Sequence, residues 1–289
     1  MREVTQRFSD LATEIAEISD PLERTKRAHE AVTDLQEVTT ELLRIRRESV
    51  EELIAQGMKQ TEIGRQLDIS RQMVGKLIKA SPPPERAFLG SGRLTIAVGE
   101  KREAAKDHGP AGPAVATEDL AAFDMLSGLA RELRLEASYE TVAPPGMIDL
   151  NRDNLVVICG PRLSPMIGQI LASDPHIAFD RDESGWYLQD QVTGIVYRSP
   201  MDAGERADYA YLGRLPRPDA RGTFVYLAGI HAVGATGVTH WLTHHLAEVY
   251  REVGRRRFST LIRCTYTTDP LQITGSERVT PLYRRGAAA

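Results

Sequence analysis

The chain has only two cysteines, Cys159 and Cys264, among 289 residues. That excludes a disulfide framework and a four-cysteine metal ribbon. Both lie in apolar, strand-like runs, so both are expected to be reduced and buried. No run approaches the roughly eighteen apolar residues of a membrane span. MREVTQRFSD lacks the apolar core of a signal peptide, so a cytoplasmic protein with no membrane partner is expected. Excess positive charge is missing as well. The formal net charge is −4, so any nucleic-acid binding must use a local basic surface. Catalytic signatures are scarce. The glycine turns match neither GxGxxG nor GxxxxGK[ST], HExxH is absent, and no GxSxG elbow surrounds Ser164. No catalytic residue, metal ligand or resident cofactor is assigned on this basis.

What is present is periodicity that changes along the chain. Val4, Phe8, Leu11, Ile15 and Ile18 form one helical stripe. Ser19-Asp20-Pro21 stops it, with Asp20 placed to cap the next helix and Pro21 at its first position. Residues 22–56 are periodic again, as one long helix or two, and Gly57 provides a C-cap. Pro82-Pro83-Pro84 then breaks the pattern. Beyond it, strand-like and helical runs alternate. RLTIAV (93–98), NLVVIC (154–159) and GTFVYLA (222–228) read as buried strands. Helices are expected at 117–133, 164–172 and 238–251, the first capped by Thr117-Glu118-Asp119. Residues 102–116 read as a loop. HIAFD, WYLQD and IVYRS read as antiparallel hairpins, Ala137–Val142, Tyr209–Leu215 and Phe258–Tyr266 as further strands, and the tail 271–289 as holding one more before it frays.

The expected fold class is therefore α/β. An N-terminal all-α domain (1–81) and a proline-rich linker (82–87) precede a mainly parallel, Rossmann-like sheet domain with antiparallel hairpins (88–289).

TEIGRQLDISRQMVGKLIK, residues 61–79, fits two short helices crossing through an apolar contact. Ile63 and Leu67 supply the first apolar face, Gly64 the close approach, Ile69 the turn plug, and Val74 and Leu77 the second face. Asp68 stands where a left-handed residue is needed, which aspartate tolerates better than most. Ser70 caps the second helix. Residues 44–80 carry three lysines and five arginines against five acidic residues, a surplus of three positive charges.

Residues 40–80 resemble the helix-turn-helix of sigma-factor region 4 and of many bacterial regulators. The resemblance implies that residues 70–79 enter the major groove of double-stranded DNA. Arg71 and Gln72 would read base edges. Thr61, Arg65, Lys76 and Lys79 would contact phosphates, with Gly75 on the same outer face. So small a charge suits a homodimer or higher homo-oligomer on paired half-sites. The helices at 2–18 and 22–56 are candidate dimer contacts.

In the second domain three strands end in glycine turns, AVGEK (97–101), ICGPR (158–162) and LAGIHAVGATG (227–237). Ligands of open parallel sheets gather beyond such strand ends. Gly99, Lys101, Gly160, Arg162, Ser164, Gly229, His231, Gly234 and Thr236 are the candidate ligand-binding residues, suited to a nucleotide-like or phosphorylated effector. Such glycines also occur simply because the chain must turn. GPRLSP, DYAYLGRLPRP and AGIHAVGATG are similar to segments of an uncharacterised prokaryotic α/β domain found fused to other modules, which implies no site residue.

Cys159 with His231, or Ser164 with His231 and an acid, are pairs from which a nucleophile could be built. His240 and His244 read as helix packing rather than metal ligands, and Arg255-Arg256-Arg257 as a solvated helix end with phosphate contact as the alternative. The sequence thus reads as a DNA-binding transcriptional regulator whose α/β domain senses a small-molecule effector, dimerises, or both. The alternatives are a nucleotide- or nucleoside-processing enzyme tethered to DNA, and a ligand-free architectural DNA-binding protein.

Overall fold

Asp20 accepts a hydrogen bond from the Leu22 amide at 2.8 Å, and Pro21 opens the helix behind it. The computed structural model describes residues 2–103 and 112–284, with side chains from Thr5 onward. The chain divides between Pro84 and Glu85 into two compact units.

The first unit is helical: α1 (Arg2–Ala16), α2 (Pro21–Ala55), α3 (Gln60–Gln66) and α4 (Arg71–Ala80). Helix α2 is continuous over 35 residues. It ends in a left-handed Gly57, where Met58 N–H donates to Leu53 O and Gly57 N–H to Ile54 O. This pair of bonds satisfies carbonyls that the helix end would otherwise orphan. Val50, Ile63 and Val74 form the buried centre where α2, α3 and α4 meet, with Leu53, Met58, Ile69 and Ile78 around it.

Two apolar positions differ from expectation. Leu67 is 47% exposed, because α3 ends at Gln66 and Leu67 is only its C-cap. Ile78 packs on the core in place of Leu77, because Val74 and Ile78 lie four apart on one face of α4. Asp68 takes the left-handed conformation, with φ at 55°. An added Cβ on Gly64 would lie 2.6 Å from the Ile69 carbonyl oxygen, a backbone atom that cannot swing away. Gly64→Ala is therefore expected to destabilise this unit by about 1–3 kcal/mol, overriding the alanine's helix preference of about 1 kcal/mol. Hydrogen exchange reads it: amides of α3 and α4 should exchange several-fold faster, and unchanged or slower exchange there would refute the close-approach argument.

The second unit begins with α5 (Arg86–Leu89) and β1 (Arg93–Gly99). Next come β2 (Lys101–Arg102), β3 (Pro113–Ala114), α6 (Thr117–Glu132), β4 (Glu136–Val142), β5 (Leu155–Ile158) and α7 (Pro165–Leu171). Then follow β6 (Ile177–Asp182), β7 (Gly185–Asp190), β8 (Val196–Arg198), a short 3-10 turn (Pro200–Ala203) and β9 (Ala207–Pro216). The last elements are β10 (Thr223–Gly229), α8 (Ala232–Val253), β11 (Phe258–Thr268), β12 (Leu271–Arg278) and β13 (Tyr283–Arg284). Of the expected loop at 102–116, residues 104–111 lie outside the described residues, as do 285–289 of the tail expected to hold one more strand.

The main sheet runs β12-β11-β9-β10-β5-β1-β4, with β13 beside β11. Only β10, β5, β1 and β4 are mutually parallel, while β9, β11, β12 and β13 pair antiparallel. The sheet is thus partly parallel rather than mainly so. The short connections β9–β10 and β11–β12 impose hairpins, since a parallel return needs a crossover of a dozen or more residues. The expected hairpins at 176–198 form their own sheet, β6-β7-β8.

Side chains alternate across the sheet as strand geometry demands. Leu94, Ile96, Val98, Val156, Ile158, Val225 and Leu227 face α6 and α8. Ala97, Leu155, Val157, Phe224 and Tyr226 face α7 and the small sheet. With apolar neighbours on both faces, β1, β5 and β10 could not display the polar alternation of a half-exposed strand.

Helix α8 starts at Ala232, six residues before the expected start at Val238. Gly234 and Gly237 therefore lie inside the helix. Their role is close packing: an added Cβ would meet Asp208 Oδ2 at 2.5 Å and Gly229 Cα at 2.6 Å from Gly234, and Cys264 Cβ at 2.3 Å from Gly237.

Candidate functional site

The parallel register sets Val98 beside Ile158 and Ile158 beside Leu227, so β1, β5 and β10 end level. The crossover through α6 leaves β1 toward β4, whereas β5 and β10 lie on the other side of β1. This reversal of direction opens a crevice at the strand ends. A shallow cleft, enclosing only about 20 Å³, occupies it, lined by Lys101, Asp119, Cys159, Gly160, Arg162 and His231 with their neighbours.

Five of the nine residues expected here line the cleft: Lys101, Gly160, Arg162, Gly229 and His231. Four do not. Gly99 is buried, and its missing side chain makes room for the Cys159 thiol and Leu163. The Ser164 hydroxyl donates to Gly146 O at 2.6 Å and accepts from the Ile167 amide as the N-cap of α7. Gly234 packs against Asp208 and Gly229. The Thr236 hydroxyl donates to Glu118 O at 2.8 Å, tying α8 to the first turn of α6.

Asp119 is the residue the sequence did not single out. In TED it reads as a helix-capping acid. The cap is instead the backbone of Ala116, with no side-chain cap bond, and Asp119 is turned inward, 7% exposed, on the cleft wall. Burial pushes its carboxyl from 3.8 up to about 7, opposed by the positive charges of Lys101 and Arg162 and reinforced by Glu118. Desolvation disfavours the carboxylate more than the two cations restore it.

Its neighbours are held in defined states. The Cys159 thiol is pushed up to about 12, first by burial and then by the Asp119 carboxylate. At neutral pH it stays a thiol, the non-nucleophilic form. The His231 ring Nε2 lies 2.8 Å from Asp202 Oδ1 on the 3-10 turn. The backbone N–H of His231 donates at 2.9 Å to Asp208 Oδ2, so Asp208 sits at the N-terminus of α8, where the helix field favours negative charge. Burial nevertheless raises the Asp208 carboxyl, and its Oδ1 is buried without a hydrogen-bond partner. The Ser164 hydroxyl is already committed to a carbonyl, and Cys159 keeps its proton. Neither nucleophile pair is thus in an activated form.

On the helical unit, Thr61, Arg65, Ser70, Arg71, Gln72, Lys76 and Lys79 are exposed and Gly75 is half-exposed. Ser70 caps α4, accepting from the Met73 amide at 3.2 Å. Arg71 and Gln72 therefore stand at the helix's N-terminal end. Arg65 and Glu62 are only 4.0 Å apart at an exposed site, an ion pair of little energetic weight.

His240 Nδ1 is 2.8 Å from Ser276 Oγ, and His244 Nδ1 is 2.7 Å from His240 O. Among the described residues no group of three or more His, Cys, Asp or Glu is placed to hold a metal ion, and no helix is long and apolar enough to cross a membrane. Compared with known proteins, the chain matches no family model, and no curated protein or solved structure is similar to it at a significant level.

Proposed function

We propose that this protein is a DNA-binding transcriptional regulator, acting as a homodimer, whose Rossmann-like α/β unit binds a small phosphorylated or nucleotide-like effector. The observation that carries the reading is the pairing of α3 and α4. The two helices meet over a glycine that admits no Cβ, turn through a left-handed aspartate, and leave Arg71, Gln72, Lys76 and Lys79 on the outer face of α4. These features support a helix-turn-helix reading, in which one helix enters the major groove.

The effector reading rests on the cleft at the strand ends, where Lys101 and Arg162 supply positive charge beside glycine-containing turns. The dimer reading rests on α2, which exposes Val38, Leu42 and Ile45 at steps of four and three. A seam of that spacing is completed by a second copy of itself.

Selection of bound genomic fragments by the full chain tests the central claim. Arg71→Ala and Gln72→Ala should each cost about 1–3 kcal/mol at the preferred site and relax sequence selectivity. Lys76→Ala should weaken binding to all sequences alike and flatten its salt dependence. If the two reader variants select the same fragments as tightly as the wild type, α4 does not read DNA. Native mass spectrometry of the freshly purified chain tests the effector and the dimer together.

A second reading has one observation in its favour. A carboxyl brought near 7 in a cleft is suited to proton transfer, so Asp119 could serve an enzyme acting on nucleotides or nucleosides. Turnover of such substrates, abolished by Asp119→Asn, would favour it over sensing.

A further inference from the structure

At the opposite end of the parallel strands, where β5 and β10 begin, lies a second and wider cleft of about 260 Å³. Arg214, from the end of β9, is 6% exposed and lines it. Its guanidinium lies over the Phe88 ring, 4.9 Å from the centroid, and donates to the Phe88 carbonyl. A 3.4 Å contact to Thr223 Oγ1 engages a second nitrogen, while Nε is buried without a partner. Arg221, at the β9–β10 turn, and Arg255, just beyond α8, are exposed on the rim.

One carboxylate, Asp153, lies on the cleft wall, and its charge is balanced by Arg217. Asp153 pairs with Arg217 at 2.9 Å, and Asp219 lies 3.6 Å from the same guanidinium. Among the described residues no carboxylate pairs with Arg214, Arg221 or Arg255. A buried cation without an anion is costly, and here two more cations converge on it. Burial, and then the charge of Arg255, lowers the Arg214 guanidinium to about 10, which still leaves it charged at neutral pH.

We propose that this cleft is an anion site that takes the phosphate group of a small molecule. Arg214 is its fixed floor, and Arg221 and Arg255 close on the anion from the rim. Three arginines against one anion suit a multiply charged phosphate better than a single carboxylate, and guanidinium matches phosphate oxygens in two-pronged geometry. Because Arg214 is almost wholly enclosed, only a group that enters the cleft can reach it, which a duplex backbone does not do. The site is separate from the cleft around Asp119 and stands whether or not that cleft binds an effector.

Calorimetric titration of the full chain with inorganic pyrophosphate, at ionic strength matched with chloride, tests the proposal. Arg221 and Arg255 are exposed, so the double variant Arg221→Ala/Arg255→Ala leaves the fold intact while Arg214 stays in place. We expect pyrophosphate to bind the wild type, and the double variant to bind about tenfold or more weakly. A Lys101→Ala/Arg162→Ala chain should keep this binding event. The proposal is overturned if the wild type takes up no pyrophosphate, or if the Arg221/Arg255 variant binds it as the wild type does. It is equally overturned if that variant loses duplex DNA affinity alone, which would make the arginines a backbone contact.

Discussion

Gly229→Ala should cost the α/β unit about 3 kcal/mol or more and lower its Tm by roughly 6–12 °C. Gly229 closes β10 one step before the turn into α8. A Cβ there would lie 2.0 Å from the His231 carbonyl oxygen, 2.7 Å from Gly234 Cα and 2.9 Å from Gly234 N. All three are backbone atoms, so no rotamer change relieves the clash. Strand and helix must separate, and the separation disrupts the Asp208–His231 contact and the wall of the cleft. Gly128→Ala is the matching control. It sits inside α6 with nothing within 4 Å of its added Cβ, and should stabilise by up to about 1 kcal/mol through helix preference. The two tryptophans, Trp186 and Trp241, both report on this unit, so thermal melts followed by their fluorescence measure both variants. A Gly229→Ala protein melting within about 2 °C of the wild type would mean the close approach is not a constraint.

That same glycine shows where the sequence was legible and where it was not. The three continuous apolar runs announced strands buried on both faces, and their glycine ends pointed to the level edge that carries the cleft. Asp20-Pro21 and Gly57 marked the ends of α2 because capping is local chemistry, decided within a few residues. The run LAGIHAVGATG was less readable. A glycine that permits a turn and a glycine that permits packing look alike in one dimension, and Gly234 and Gly237 proved to be the second kind. The antiparallel half of the sheet was obscured because β9 is buried nearly throughout, as a parallel strand would be. Asp119 escaped notice for a related reason. An acid in the first turn of a helix ordinarily stabilises it from the surface. Only the convergence of α6 with the ends of β5 and β10 places this one inside. The arginines around the second cleft are scattered from 214 to 255, and no local spacing could unite them.

Asp119→Asn should make the protein more stable at about pH 8 by roughly 3–4 kcal/mol, and no more stable at about pH 4. The sign follows from the raised carboxyl, 3.8 in its ordinary state and about 7 in the fold. Between those values the folded chain holds a proton that the unfolded chain has released, so stability falls as pH rises through the window. Below 3.8 both states are protonated and the favourable contribution is complete; above 7 it has been lost in full. Asparagine is neutral throughout, so the variant's stability should lack this descending limb. Lys101 and Arg162 lose a countercharge in the variant, which reduces the gain but does not reverse it, because burial outweighs them both. Urea unfolding of wild type and variant across about pH 4–8, followed by tryptophan fluorescence, gives the two profiles directly. Parallel profiles, or a variant less stable than the wild type at about pH 8, would show that the carboxylate is held by its cations after all. If the expected divergence is found, the same variant should bind inorganic phosphate in this cleft more tightly at about pH 8 than the wild type. An anion entering beside Lys101 and Arg162 would no longer face a second negative charge across the cleft. In the wild type that repulsion is relieved by protonation, so phosphate binding should draw a proton onto Asp119 and, relative to the variant, weaken as the pH rises through about 7.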